Sequence, residues 1–173
     1  MRYLALAADY DGTLASDGVV FPDTAAAIER LVASGRKLIL VTGRILPEML
    51  KIFPQISLCE LVVAENGGVL YRPATKEITL LADAPRPAFL EEVQHRGVQH
   101  LGLGHVIVAT RVPYGTVILD IIRDLGLELR IIFNKGAVMV LPHGINKATG
   151  LTAALARMEL SPHNCIAIGD GEN

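Results

Sequence analysis

Short apolar runs that stop abruptly at polar residues constrain this chain more than anything else in it. Tyr3-Leu4-Ala5-Leu6-Ala7-Ala8 halts at Asp9, Lys37 to Thr42 at Gly43-Arg44, and Leu61-Val62-Val63-Ala64 at Glu65-Asn66-Gly67-Gly68. Runs of this length without polar alternation predict strands buried on both faces, as in a parallel sheet. Between the first two, Pro22-Asp23 opens a segment with Ala27, Ile28, Leu31 and Val32 at helical spacing, and Gly35 closes it. A shorter helix is expected over Pro47 to Phe53. The βαβαβ order predicts an α/β fold with an open, mostly parallel sheet.

The rhythm then changes. Val69 to Tyr71 and Ile78 to Leu81 read as short strands around a turn. Helices are expected over Ala88–Arg96 and Tyr114–Leu125, a strand over His105–Arg111, and a hairpin from Leu129–Phe133 and Ala137–Leu141 around Asn134-Lys135-Gly136. After it the first pattern returns, with a helix from about Asn146 to Met158 and a strand from Cys165 to Ile168 that runs into Gly169-Asp170-Gly171-Glu172-Asn173. The expected organisation is a first part of the main domain at 1–81, an inserted α+β unit at 82–142, and the rest of the main domain at 143–173. The insert is small enough to need support from its neighbour.

Composition removes several classes. The chain has 173 residues, 51% hydrophobic and 20% charged, with a mean hydropathy of +0.40, which suits a globular protein and excludes a disordered tail or fibre. A net charge of -2 offers no global field for nucleic acid or anionic lipid. No apolar run approaches the roughly 18 residues of a membrane span, and the first run is too short for a signal-peptide core. The expected location is cytoplasmic, with no membrane or nucleic-acid partner. Cys59 and Cys165 have neither disulfide-framework nor zinc spacing.

Ligands of open α/β sheets bind outside the carboxyl ends of the strands, and the polar residues gather there. If the strands are adjacent, Asp9, Asp11 and Asp170 converge on one edge, and like carboxylates in close approach call for a cation. A set of oxygen ligands selects a hard ion, so Mg²⁺ is the implied cofactor. Lys147, at the start of the returning helix, would reach the same edge as a point charge for phosphate. Thr42 and the Gly43 amide would donate hydrogen bonds to the same group.

In this order, Asp9-Tyr10-Asp11-Gly12-Thr13-Leu14, Thr42-Gly43-Arg44, Asn146-Lys147 and Gly169-Asp170-Gly171-Glu172-Asn173 resemble the four motifs of the haloacid dehalogenase superfamily. The insert between the second and third is similar to the cap of the type-two-capped sugar-phosphate and phosphoglycolate phosphatase branch. The resemblance implies a Rossmann-like core and a Mg²⁺-dependent phosphomonoester hydrolase acting on a small phosphorylated metabolite. It implies Asp9 as nucleophile forming an aspartyl-phosphate and Asp11 as general acid. Thr42, Gly43 and Lys147 would hold the phosphoryl oxygens. Asp170 would ligate Mg²⁺ with Asp9 and the Asp11 main-chain carbonyl, and Asn173 would lie near the phosphate. In the family another aspartate, a helix and further strands usually follow the last motif, whereas this sequence stops at Asn173. The expectations attached to that difference are a truncated core, reduced or absent turnover, and self-association through the edge of the last strand.

A phosphate- and Mg²⁺-binding regulatory protein without turnover is the alternative reading. A receiver-type phosphoacceptor domain fits less well, because it carries no insert. Taken singly, Asp-x-Asp and Thr-Gly are ordinary turn residues, Asn146 is a helix N-cap, and Arg44 is as readily a surface arginine as a substrate contact. His95, His100 and His105 fit no ligand spacing. Gly102-Leu103-Gly104 lacks the third glycine and strand-to-helix setting of a dinucleotide loop. Glu65-Asn66-Gly67-Gly68 resembles the family's turn at the junction of core and cap and is a hinge candidate, equally readable as a sharp turn that needs glycine.

Overall fold

The computed structural model describes residues 3–134 and 136–170. Its main sheet has the order β10-β1-β2-β3-β4-β5. The strands are β1 (Ala5–Asp9), β2 (Lys37–Val41), β3 (Cys59–Ala64), β4 (Val69–Arg72), β5 (Glu77–Leu80) and β10 (Cys165–Ile168). The pairs β10–β1, β1–β2 and β2–β3 are parallel, and β4 and β5 add an antiparallel flank.

Successive residues of a strand face opposite sides, and here both sides are apolar. Ala8, Leu38, Leu40 and Val62 pack against α1 (Pro22–Ala33) and α2 (Leu46–Ile52). Ala5, Ala7, Ile39, Val41 and Val63 pack against Ala154 and Leu155 of α5 (Lys147–Arg157). The result is a three-layer α/β core. Cys59 lies inside it, and burial pushes its thiol up to about 12. Iodoacetamide at pH 8 should therefore leave Cys59 unmodified in the native protein and alkylate it after denaturation, as read by peptide mass mapping. Native-state labelling of Cys59 would contradict its burial.

The second sheet has the order β6-β7-β9-β8 and comprises β6 (Gly102–Leu103), β7 (Val108–Arg111), β8 (Leu129–Asn134) and β9 (Ala137–Pro142). Against one face lie α3 (Pro87–His95) and α4 (Gly115–Asp124), whose Phe89, Val93, Ile118 and Ile121 join Val108 and Val140 in a separate cluster. The opposite face turns toward the main sheet, where Ile107, Leu141 and Ile132 join the cluster of Leu40 and Val62.

Two local differences from the sequence reading have physical causes. The strand expected from His105 begins only at Val108, because the amides of His105, Val106 and Ile107 are spent on the side chain of Glu65 rather than on a ladder. Gly102-Leu103 is a two-residue edge strand. At the other edge of the molecule β10 pairs with β1 alone among the described strands, and Ile166 and Ile168 stay 42% and 44% exposed. No helix among the described residues is long and apolar enough to cross a membrane.

Candidate functional site

Parallel register brings the polar strand ends together. Asp9 is the last residue of β1 and pairs with Val41, the last residue of β2, so Thr42 begins the loop directly beyond that pair. On the other side β10 runs parallel to β1, and a Cβ placed on Gly169 would lie 3.6 Å from that of Asp9. Gly12 has φ +80, and a Cβ there would stand 2.1 Å from Asp170 Oδ2. The Asp170 carboxylate thus occupies the space that glycine vacates, against the loop that follows Asp9.

Lys147 enters from the opposite layer. Its Nζ lies 3.0 Å from Asp9 Oδ2, and both side chains are largely enclosed, at 13% and 14% exposed. It is the first residue of α5, where a cation opposes the helix dipole. The Asp9 pairing, not helix stability, accounts for its place there. Asn146 caps the helix, accepting from the Thr149 amide at 2.8 Å while its own amide donates to Thr149 Oγ1 at 3.0 Å. The helix is held close by a glycine pair: a Cβ on Gly150 would stand 2.5 Å from Gly67 Cα and 2.6 Å from a Val63 methyl.

Asp11 does not join the other two carboxylates. Arg44 grips it through two bonds of 2.8 Å, Nε to Oδ2 and a terminal nitrogen to Oδ1, and also pairs with Glu48. The guanidinium lies 5.7 Å from the Tyr10 ring centroid, and the bond to Asp11 raises its pKa. Arg44, weighed above as a surface residue, is therefore the partner that orients Asp11. The fork geometry explains why arginine and not lysine serves here. Nothing local in the sequence announced the pair.

Thr42 is buried, and its Oγ1 accepts from the Arg44 amide at 3.1 Å, leaving the hydroxyl proton free to be donated. Thr42 O accepts from the Asn66 amide at 3.1 Å and Arg44 O from the Glu65 amide at 3.0 Å. Gly43 lies against the Asn66 side chain, with an added Cβ 3.0 Å from Oδ1. Thr13 Oγ1, in the same loop as Asp11, is buried and has no hydrogen-bond partner among the described residues. Asn173 lies outside the described residues.

The donors at this edge are hard oxygens. Among the described residues no group of three or more His, Cys, Asp or Glu side chains forms a metal cage. A cation here would rest on the Asp9 and Asp170 carboxylates, main-chain oxygen and water, and that donor set fits Mg²⁺. A carboxylate beside an ammonium, a hydroxyl donor and a second acid oriented by arginine is an arrangement that can bind a phosphoryl group and exchange it.

An open sheet with its polar groups at the strand ends and an inserted α+β cap defines a class of capped α/β hydrolases. Residues 6–100 and 105–173 match the haloacid dehalogenase-like hydrolase family, and the chain belongs to that family, among its phosphatases. It is 30% identical over 185 residues to a phosphoglycolate phosphatase of Natronomonas pharaonis, covering 97% of this chain and 77% of the relative. Its identity to the phosphoglycolate phosphatase of Haloarcula marismortui is 28% over 179 residues, with the same coverage. Its fold matches a haloacid dehalogenase-like hydrolase from Bacteroides thetaiotaomicron with a TM-score of 0.80 at 17% identity, over 97% of this chain and 82% of the other.

Proposed function

We propose that this protein is a Mg²⁺-dependent phosphomonoesterase that works through a phosphorylated Asp9. The observation that carries the reading is the Asp9–Lys147 pair at 3.0 Å, set between Thr42 and Asp170 at the carboxyl edge of a parallel sheet. Asp9 attacks phosphorus in line with the ester oxygen, the bond to the leaving group breaks, and Asp11, protonated once Arg44 releases one of its oxygens, gives the departing alkoxide its proton. Water then attacks the phosphoryl group with Asp11 as base, releasing phosphate and restoring the Asp9 carboxylate. Lys147, the Thr42 hydroxyl and the Gly43 amide hold the phosphoryl oxygens, and Arg44 keeps Asp11 aimed. The carboxylates of Asp9 and Asp170 and the carbonyl of Asp11 would hold Mg²⁺, which when bound would neutralise phosphoryl charge.

The substrate class is a short phosphorylated hydroxy acid such as phosphoglycolate, the substrate in the names of the relatives. Supporting it, the strands of the second sheet carry no Asp or Glu. Val108 and Thr110 are buried on the helix side, so Ala109 and Arg111 alternate toward the core, as do Arg130 and Met139 by register. Guanidinium and apolar groups suit a carboxylate and lack the acceptors a polyol needs. We take 82–142 as the cap and 1–81 with 143–173 as the core, a division supported by the two sheets and their separate clusters. The exposed β10 edge remains our proposed surface for self-association, which light scattering reads.

The decisive test is hydrolysis of p-nitrophenyl phosphate before and after chelation. EDTA should lower the rate at least ~100-fold and excess Mg²⁺ should restore it, as expected for a cation neutralising transferred charge. Hydrolysis indifferent to EDTA would refute the metal role. Mg²⁺-dependent phosphate binding without turnover would favour the regulatory alternative.

A further inference from the structure

Glu65 is a fully buried carboxylate in the left-handed region, with φ 56, and Asn66 follows at φ 53. Neither position is a glycine, so the backbone is held in this form by its surroundings. The surroundings are two-sided. From the cap, the amides of His105, Val106 and Ile107 donate to the carboxylate at 3.0, 2.8 and 3.2 Å, and His105 Nδ1 lies 3.3 Å away. From the core, the Leu46 amide at the start of α2 donates at 3.4 Å. The main chain of the same two residues binds the phosphate loop, through Glu65 N to Arg44 O and Asn66 N to Thr42 O. The Asn66 amide also donates to Met139 Sδ of β9 at 3.2 Å while lying against Gly43.

We propose that Glu65 is a positioning residue that seats the cap: its carboxylate clasps the turn at 104–107 while its backbone holds Thr42-Gly43-Arg44, so the cap and the phosphate loop keep one fixed geometry. The clasp is then a polar attachment of the cap besides its two chain connections and the apolar cluster it shares with the core. The consequence for the reaction rests on the phosphatase reading above, whereas the clasp does not. Four main-chain donors and no main-chain acceptor face the two oxygens, divided between them. A glutamine of the same shape must therefore turn its NH₂ against N–H groups in either orientation. From the cap side, a Cβ on Gly104 would press on the Glu65 carboxylate, so Gly104→Ala disturbs the same contact from a residue of the cap.

The experiment is hydrogen exchange on the full chain, wild type against Glu65→Gln and Gly104→Ala, with kinetics on p-nitrophenyl phosphate and phosphoglycolate. Either variant should raise exchange of the 105–107 amides at least ~10-fold with β1–β3 unchanged. It should also lower kcat/KM for phosphoglycolate at least ~10-fold more than for the aryl ester, which needs less of the cap. Unchanged exchange at 105–107 in both variants overturns the clasp. Exchange that rises throughout the core, with both substrates losing equally, reduces Glu65 to a merely structural group and overturns the positioning role. If one variant fails to fold, the other decides. If wild type hydrolyses neither ester, the phosphatase reading falls while the exchange result still decides the clasp.

Discussion

Asp9→Asn is expected to lower kcat for p-nitrophenyl phosphate by about 10⁴-fold, or about 5 kcal/mol of lost transition-state stabilisation. The amide keeps the shape and the hydrogen bond that Tyr10 N donates to Oδ1 at 2.8 Å, but it cannot form the covalent intermediate. The same change removes one member of the pair with Lys147, leaving a mostly enclosed ammonium without its carboxylate. A modest fall in melting temperature should accompany the kinetic loss, since breaking one side of an enclosed pair costs more than the pair contributes. A variant retaining more than a tenth of wild-type kcat would show that Asp9 is not the nucleophile.

Gly150→Ala should produce the largest loss of stability. Its methyl would meet Gly67 Cα at 2.5 Å and Val63 at 2.6 Å, and main chain cannot turn aside as a long side chain can. Overpacking of this kind costs about 2–3 kcal/mol, which for a chain of this size corresponds to a drop in Tm of roughly 5–10 °C. Because α5 also delivers Lys147, catalysis should fall with it. Thr152→Ala, at an exposed site on the same helix, should stay within about 0.5 kcal/mol of wild type. Equal melting of the Gly150→Ala and wild-type proteins would mean that α5 does not pack on the turn at 65–67.

The features legible in the sequence were those set by local pattern. Apolar runs mark β1 to β3, where most positions are buried on one face or the other, and β10, which keeps the pattern although Ile166 and Ile168 are exposed, and their polar ends mark Asp9, Thr42 and Asp170. Lys147 could be placed because Asn146, as an N-cap, marks where its helix starts; the capping-box threonine emerged only in the structure. What escaped depends on pairs distant in sequence. Arg44 grips Asp11 from another strand end, and only the adjacency of β1 and β2 makes that contact. Glu65 looked like part of a turn because its donors at 105–107 lie in the cap. The same bonds explain why the strand there starts late, since an amide given to a carboxylate is lost to a ladder. Gly102-Leu103 was too short to carry any periodic signal.

The position of β1 between β2 and β10 bears on how the molecule is made. Ala5 pairs with Lys37 on one side and with Cys165 on the other, so one neighbour is synthesised soon after β1 and the other near the opposite end of the sequence. At about 5–20 residues per second, roughly 6–26 s separate the emergence of the two neighbours. During that interval one edge of β1 stays open to pairing with another nascent chain. Asp170 follows β10 directly, so its carboxylate reaches its place against Gly12 only once that late pairing is made. A factor that shields the open edge of β1 during that interval would limit such mispairing.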